Sequence, residues 1–114
     1  MPQQPPLAVS SWSLHRALGL AWYNRPDNDI EPKAEETWGK GSMTLLEFPA
    51  AVAALGIDRV EICSFHIRTR NPAYLGELSA ALAASGVTRQ TRLIEYGDIS
   101  HPRTGERDLA WIER

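Results

Sequence analysis

The chain has a single cysteine among 114 residues, so no internal disulfide can form. That usage fits a reducing compartment and makes the cytoplasm the default expectation. No Lys/Arg run of five or more is present and the net charge is −2, which leaves no electrostatic footing for nucleic-acid binding. Long hydrophobic runs are missing as well. The longest, Ala50 to Leu55, falls far short of the ~20 residues a membrane-spanning helix needs. The opening Met1-Pro2-Gln3-Gln4-Pro5-Pro6 has neither the basic nor the apolar region of a signal peptide, and residues 1–6 are expected to be a disordered leader. A Gly-rich phosphate loop, zinc-type Cys/His spacing and a nucleophile elbow are all absent from the sequence. With 43% hydrophobic and 23% charged residues, what remains is an ordinary globular composition, enough for one domain at most.

The stretch Gly56-Ile57-Asp58-Arg59-Val60-Glu61-Ile62-Cys63-Ser64-Phe65-His66 organises the rest. Phe48, Val52 and Leu55 recur at helical spacing before it, and Gly56 with Ile57 reads as a helix C-cap. Thr44 and Glu47 have capping-box spacing, while Pro49 excludes a long helix through them. A short turn over 44–47 and a helix from about Phe48 satisfy both. The order repeats: Asn71-Pro72 opens a second helix, Gly86 ends it, and Val87 to Ile94 is a strand leading to Glu95 and Asp98. Leu7 to Ser13 is the first strand candidate, and Asp108 to Arg114 begins a third helix with Leu109 and Ile112 on one face. Strand, helix, strand, helix, strand predicts a parallel sheet with crossover helices, whose ligands sit at the carboxyl ends of the strands. Residues 19–42 read as a long loop folding over something, since Trp22, Tyr23 and Trp38 are unusual in a solvated linker. Three strands and a helix cut short leave apolar surface unpaired, so the chain is expected to be the N-terminal portion of a longer protein.

Val9-Ser10-Ser11-Trp12-Ser13-Leu14-His15-Arg16, Leu45-Leu46-Glu47-Phe48-Pro49, Val60-Glu61-Ile62-Cys63-Ser64-Phe65-His66 and Leu93-Ile94-Glu95-Tyr96-Gly97-Asp98-Ile99-Ser100-His101-Pro102 resemble the sugar phosphate isomerase/epimerase family. The resemblance runs from about Leu7 to Arg114, interrupted at 19–42. It implies a xylose isomerase-like TIM barrel, with residues 7–114 as its N-terminal part: three strands, two crossover helices and the start of a third helix. The implied chemistry is proton transfer next to a carbonyl of a sugar or sugar phosphate, assisted by a divalent metal whose ligands lie on later strands, outside this chain. The sequence departs from the family's His-Phe-His pattern at Ser64, which puts substrate recognition there in question.

Each candidate residue carries two readings. His66 either hydrogen-bonds a substrate hydroxyl or phosphate, or is a loop histidine beside Arg68 and Arg70. Period two sets Glu61 with Cys63 opposite Val60 and Ile62, so it points into the barrel as a catalytic carboxylate or as a tied structural acid. Glu95 is a catalytic carboxylate or a strand-end acid. Asp98 binds a sugar hydroxyl or caps a turn. His15 reaches the substrate mouth, and Trp12 walls a sugar ring or fills the core. His101 is read as a loop residue and Cys63 as a small buried hydrophobe. Trp22 and Trp38 either cap a ligand or belong to a disordered segment or a partner contact. Two rivals stand beside the enzyme: an endonuclease-like relative of the same barrel, and a short chain that self-associates into a homo-oligomeric binding module.

Overall fold

Residues 5–114 are described by the structure, a computed structural model. The expected leader falls partly outside them; Pro5 and Pro6 are exposed and in no regular element. The central strand is β4, Arg59–Cys63, which pairs in parallel with β1 (Val9–Ser10) on one side and β5 (Thr88–Leu93) on the other. Alternation along β4 decides what covers it. Val60 and Ile62 are completely buried, while Glu61 between them is half-exposed on the opposite face.

Two helices cover the apolar face. Phe48 and Val52 of α2 (Phe48–Ala54) and Leu78 of α3 (Pro72–Ser85) join Val60, Ile62 and Val87 in one core. Half of the capping box forms, as a turn ahead of α2: the Thr44 amide donates to Glu47 Oε1 at 3.1 Å, while the Thr44 hydroxyl donates to the same oxygen at 2.9 Å and the Glu47 amide donates to Thr44 O. Leu55, expected in the core stripe, is 65% exposed, because α2 ends at Ala54 and the chain turns away. Asn71 caps α3 by accepting from the Ala73 amide at 3.0 Å, with Pro72 in the first turn. The two helices end alike. Gly56 and Gly86 donate to Ala53 and Ala83, and Ile57 and Val87 donate to Val52 and Leu82, the paired bonds of a Schellman ending. Gly86 sits at φ +65°, where a side chain would be strained.

The partial TIM barrel is corrected by this architecture. The molecule is a small α/β domain with a three-stranded parallel sheet, a separate two-stranded antiparallel sheet and, among the described residues, four α-helices. Where the sequence predicts a loop over 19–42, β2 (Leu20–Trp22) pairs antiparallel with β3 (Ala34–Glu36). A barrel repeats strand and full crossover helix. Here the connection from β1 to β4 holds only α1 (His15–Leu18), the β2–β3 pair and α2, and β1 pairs over just two residues.

The antiparallel insertion is tied down over the carboxyl end of β4. Asn24, fully buried, donates from Nδ2 to the carbonyls of Ser64 and Ile67 at 3.2 and 2.5 Å. The Arg70 amide donates to Asp29 O at 2.7 Å, and the Thr69 hydroxyl to Ile30 O at 2.5 Å. The last helix, α4, runs Gly105–Glu113 and starts earlier than the sequence suggests. Its inward residues are Asp108 and Trp111, with Leu109 left 43% exposed. Among the described residues no helix is long and apolar enough to cross a membrane.

Candidate functional site

Parallel strands end together, so whatever follows β1, β4 and β5 is gathered along one edge. After β1 comes a 3₁₀ turn, Ser11–Leu14, then His15 at the head of α1. After β4 comes a second 3₁₀ turn, Ser64–His66. Glu95 lies two residues beyond β5.

Four side chains from these turns and from the insertion form one hydrogen-bonded row. Ser11 Oγ is 2.7 Å from His66 Nδ1, His66 Nε2 is 2.8 Å from His15 Nδ1, and His15 Nε2 is 2.8 Å from Thr37 Oγ1. The Thr37 end of the row sets the direction of the protons between neutral rings. Thr37 donates its only hydroxyl hydrogen to Gly19 O at 3.0 Å, so toward His15 it must accept. His15 therefore carries its proton on Nε2, its Nδ1 accepts from His66 Nε2–H, and His66 Nδ1 accepts the Ser11 hydroxyl. Ser11 Oγ accepts in turn from the Cys63 amide at 2.9 Å. The backbone acceptor at the Thr37 end thus orders both imidazoles, when neutral, as Nε2–H tautomers.

The electrostatics agree with that assignment. His66 is 3% exposed, and burial first, then the neighbouring His15, holds its pKa down from 6.5 to about 4. Burial also lowers that of His15. Thr37 is brought to His15 by a close return of the chain, in which the Ser42 and Met43 amides donate to Ala17 O. That approach needs a residue without a side chain: a Cβ at Gly41 would sit 2.4 Å from Ala17 O.

Aromatic rings enclose the pair. Trp12 is 59% exposed and stacks on His15, ring centres 4.7 Å apart, with Phe65 edge-on to both. Trp38 meets His15 edge-on, and the Arg16 guanidinium lies 4.8 Å from the Trp38 ring centre. Between Trp12 and Trp38, above His15, is an open cleft of about 420 Å³ with Arg16 in its wall. Next along the edge, exposed Glu95 accepts the Ser64 hydroxyl through Oε2 at 2.5 Å.

The remaining candidates stand apart from the row. Glu61 is in mid-strand on the open face of the sheet, paired in register with Ser10 and Thr91. Asp98 accepts from the Ser100 amide and hydroxyl at 2.9 and 2.5 Å, the geometry of a turn cap, and those bonds lower its pKa. His101 Nδ1 accepts from the Arg103 and Thr104 amides ahead of α4. Cys63 is buried, its Sγ 4.0 Å from Ser10 Oγ. Sequence reasoning did not single out Ser11 or Thr37. Ser11 lay within a noted segment, but nothing in the sequence joins Thr37 to His15.

The family resemblance places the ligands of its divalent metal on later strands, outside this chain. Both nitrogens of each imidazole are engaged in hydrogen bonds, and among the described residues no group of three or more His, Cys, Asp or Glu is arranged to hold an ion. Set against known proteins, the chain matches no family model, no curated protein and no solved structure.

Proposed function

We propose that the chain serves an isomerase or epimerase that moves a proton next to the carbonyl of a sugar or sugar phosphate, in the cytoplasm. The observation that supports this reading is the open cleft walled by Trp12 and Trp38 directly over His15. Flat indole faces take the apolar face of a sugar ring, and Arg16 in the same wall supplies a guanidinium for a phosphate. Glu95 is the proton acceptor in this reading. The Ser64 hydroxyl holds Oε2, leaving Oε1 for a substrate C–H. His15, its two ring nitrogens held by His66 and Thr37, supplies the floor of the cleft rather than a charge for the phosphate.

The test follows the imidazole resonances of His15 and His66 and the tryptophan fluorescence of the chain during titration with ketose and aldose phosphates. Solvent deuterium incorporation beside the carbonyl is followed in parallel. Binding is expected to perturb His15 and Trp12, and Glu95→Gln to keep binding while abolishing deuterium exchange. Signals unmoved by every sugar phosphate at millimolar concentration would overturn the reading. The self-associating module draws on one observation of its own: the outer edge of β5 pairs with no strand among the described residues, and Leu93 on it is 41% exposed. A stable oligomer by sedimentation, together with no sugar binding, would favour it.

A further inference from the structure

The antiparallel insertion is pinned at two places. Beside Gly19 the chain returns on itself, the Ser42 and Met43 amides donating to Ala17 O, and at Asn24 the side-chain amide holds the Ser64 and Ile67 carbonyls. Between those ties β2 arches over a cavity of about 270 Å³. Leu18, Leu20, Met43, Leu45 and Leu46 make most of its surface apolar, and the rings of Trp22 and Tyr74 stand in its walls. The cavity shares no lining residue with the cleft over His15. His66 stands between the two: its ring borders the cavity while its nitrogens are held by Ser11 and His15.

Two exposed cations, Lys40 and Arg68, mark the rim, with the Arg68 guanidinium 5.9 Å from the Trp22 ring centre. Among the described residues neither forms an ion pair, and no carboxylate lines the cavity. Carboxylates do stand close by. Glu47 accepts two hydrogens from Thr44 at the edge, and Glu31 and Glu77 line an adjoining open cleft that shares Trp22, Arg68 and Tyr74. The surroundings therefore hold no excess of positive charge, and the two cations act at short range as hydrogen-bond donors. Tyr74 is a third donor. Burial above all raises its pKa from the ordinary 10, so the phenol keeps its hydrogen at neutral pH. A mostly apolar pocket with a few convergent polar groups is the usual makeup of a small-molecule site.

We propose that the cavity under β2 binds a single-ring aromatic carboxylate, its ring among the leucines and against Trp22, its carboxylate at Lys40 and Arg68. The volume is that of roughly nine liquid waters at ~30 Å³ each, which suits about ten non-hydrogen atoms and excludes a drug-sized molecule. Flat walls at Trp22 and Tyr74 favour a ring over a chain. Lys40, Arg68 and Tyr74 all offer hydrogens, so the polar end of the ligand must accept, as a carboxylate does and an ammonium cannot. A sugar phosphate does not fit, since its hydroxyls would lie unpaired among leucines. Because His66 borders the cavity and is bonded to His15, an occupant touches one member of the histidine row. This inference stands independently of the catalytic reading.

The experiment titrates the chain with 3-phenylpropionate and, separately, with 3-phenylpropan-1-ol, which keeps the skeleton and lacks the charge, while side-chain NMR resonances are followed. The acid is expected to saturate at about millimolar concentration or below. It should shift the Trp22 indole and His66 imidazole signals more than those of Trp12 and Trp38, and its ring should give nuclear Overhauser contacts to the Leu45 and Met43 methyls. The alcohol, and the acid with a chain carrying both Lys40→Gln and Arg68→Gln, are each expected to bind about tenfold more weakly. Both substituted positions are exposed and outside the core, so the variant keeps its fold. Equal affinity for acid and alcohol, an unchanged affinity in the variant, contacts to Ala73 of the adjoining cleft in place of Leu45, or no shift at tens of millimolar would each overturn the assignment.

Discussion

Acidification below pH 6.5 should weaken this fold, and His66 is the reason. In the folded chain its pKa is held down from 6.5 to about 4, because the ring is buried and faces His15. In the unfolded chain it titrates as an ordinary imidazole. Between those two values the unfolded state binds a proton that the folded state refuses, so stability is complete above pH 6.5 and falls as pH drops toward 4. The shift corresponds to roughly 3 kcal/mol across the window, a large share of the stability of a small domain. His15, also lowered by burial, adds in the same direction. Asp98 and Asp108 belong to a different range. Hydrogen bonds from Ser100 and from the Asp98 amide hold their pKa values below 3.8, so their contribution is lost only in stronger acid. The assay is urea unfolding of the wild type and His66→Phe at steps through the window. Phe keeps the ring volume but cannot titrate, and it strips a partner from the Ser11 hydroxyl and from His15 Nδ1, at a cost of about 1–3 kcal/mol for each buried group. The variant is therefore expected to be the weaker protein at neutral pH and the less pH-sensitive one, the two curves converging in acid. Parallel curves, or a wild type of constant stability across the window, would refute the buried neutral imidazole.

Three further outcomes test the surrounding structure. Ser11→Ala leaves the Cys63 amide and His66 Nδ1 without their partner and should cost about 1–3 kcal/mol; Cys63 amide exchange and urea unfolding read it, and an unchanged exchange rate would contradict the bond. Thr37→Val removes the acceptor for His15 Nε2–H at an exposed position, so stability should change by about 1 kcal/mol or less while the His15 ring-nitrogen resonances move; resonances identical to the wild type would refute the fixed proton direction. Phe48→Ala empties a fully buried site in the core and should cost about 3–5 kcal/mol in chemical unfolding.

Local chemistry was legible in the chain itself. The turn at 44–47, the entry of α3 at Asn71-Pro72, the helix endings at Gly56 and Gly86 and the inward face Val60/Ile62 depend on neighbours a few residues away, whose geometry is set by backbone hydrogen bonding and side-chain alternation. The position of His15 and His66 near strand ends could be read in the same way. Closure into a barrel could not, because it depends on how many strands pair and over what length. A β1 of two residues and an antiparallel pair built in part from Ala34-Glu35-Glu36, poor strand formers, carry no local mark of their partners. The proton order of the site belongs to the tertiary structure for the same reason. Ser11 and His66 are separated by 55 positions, His15 and His66 by 51, and Thr37 and His15 by 22, and only packing brings Gly19 O and the Cys63 amide to the two ends of the row. The residue types determined which groups can donate and accept; the folded chain alone decided which way each proton faces.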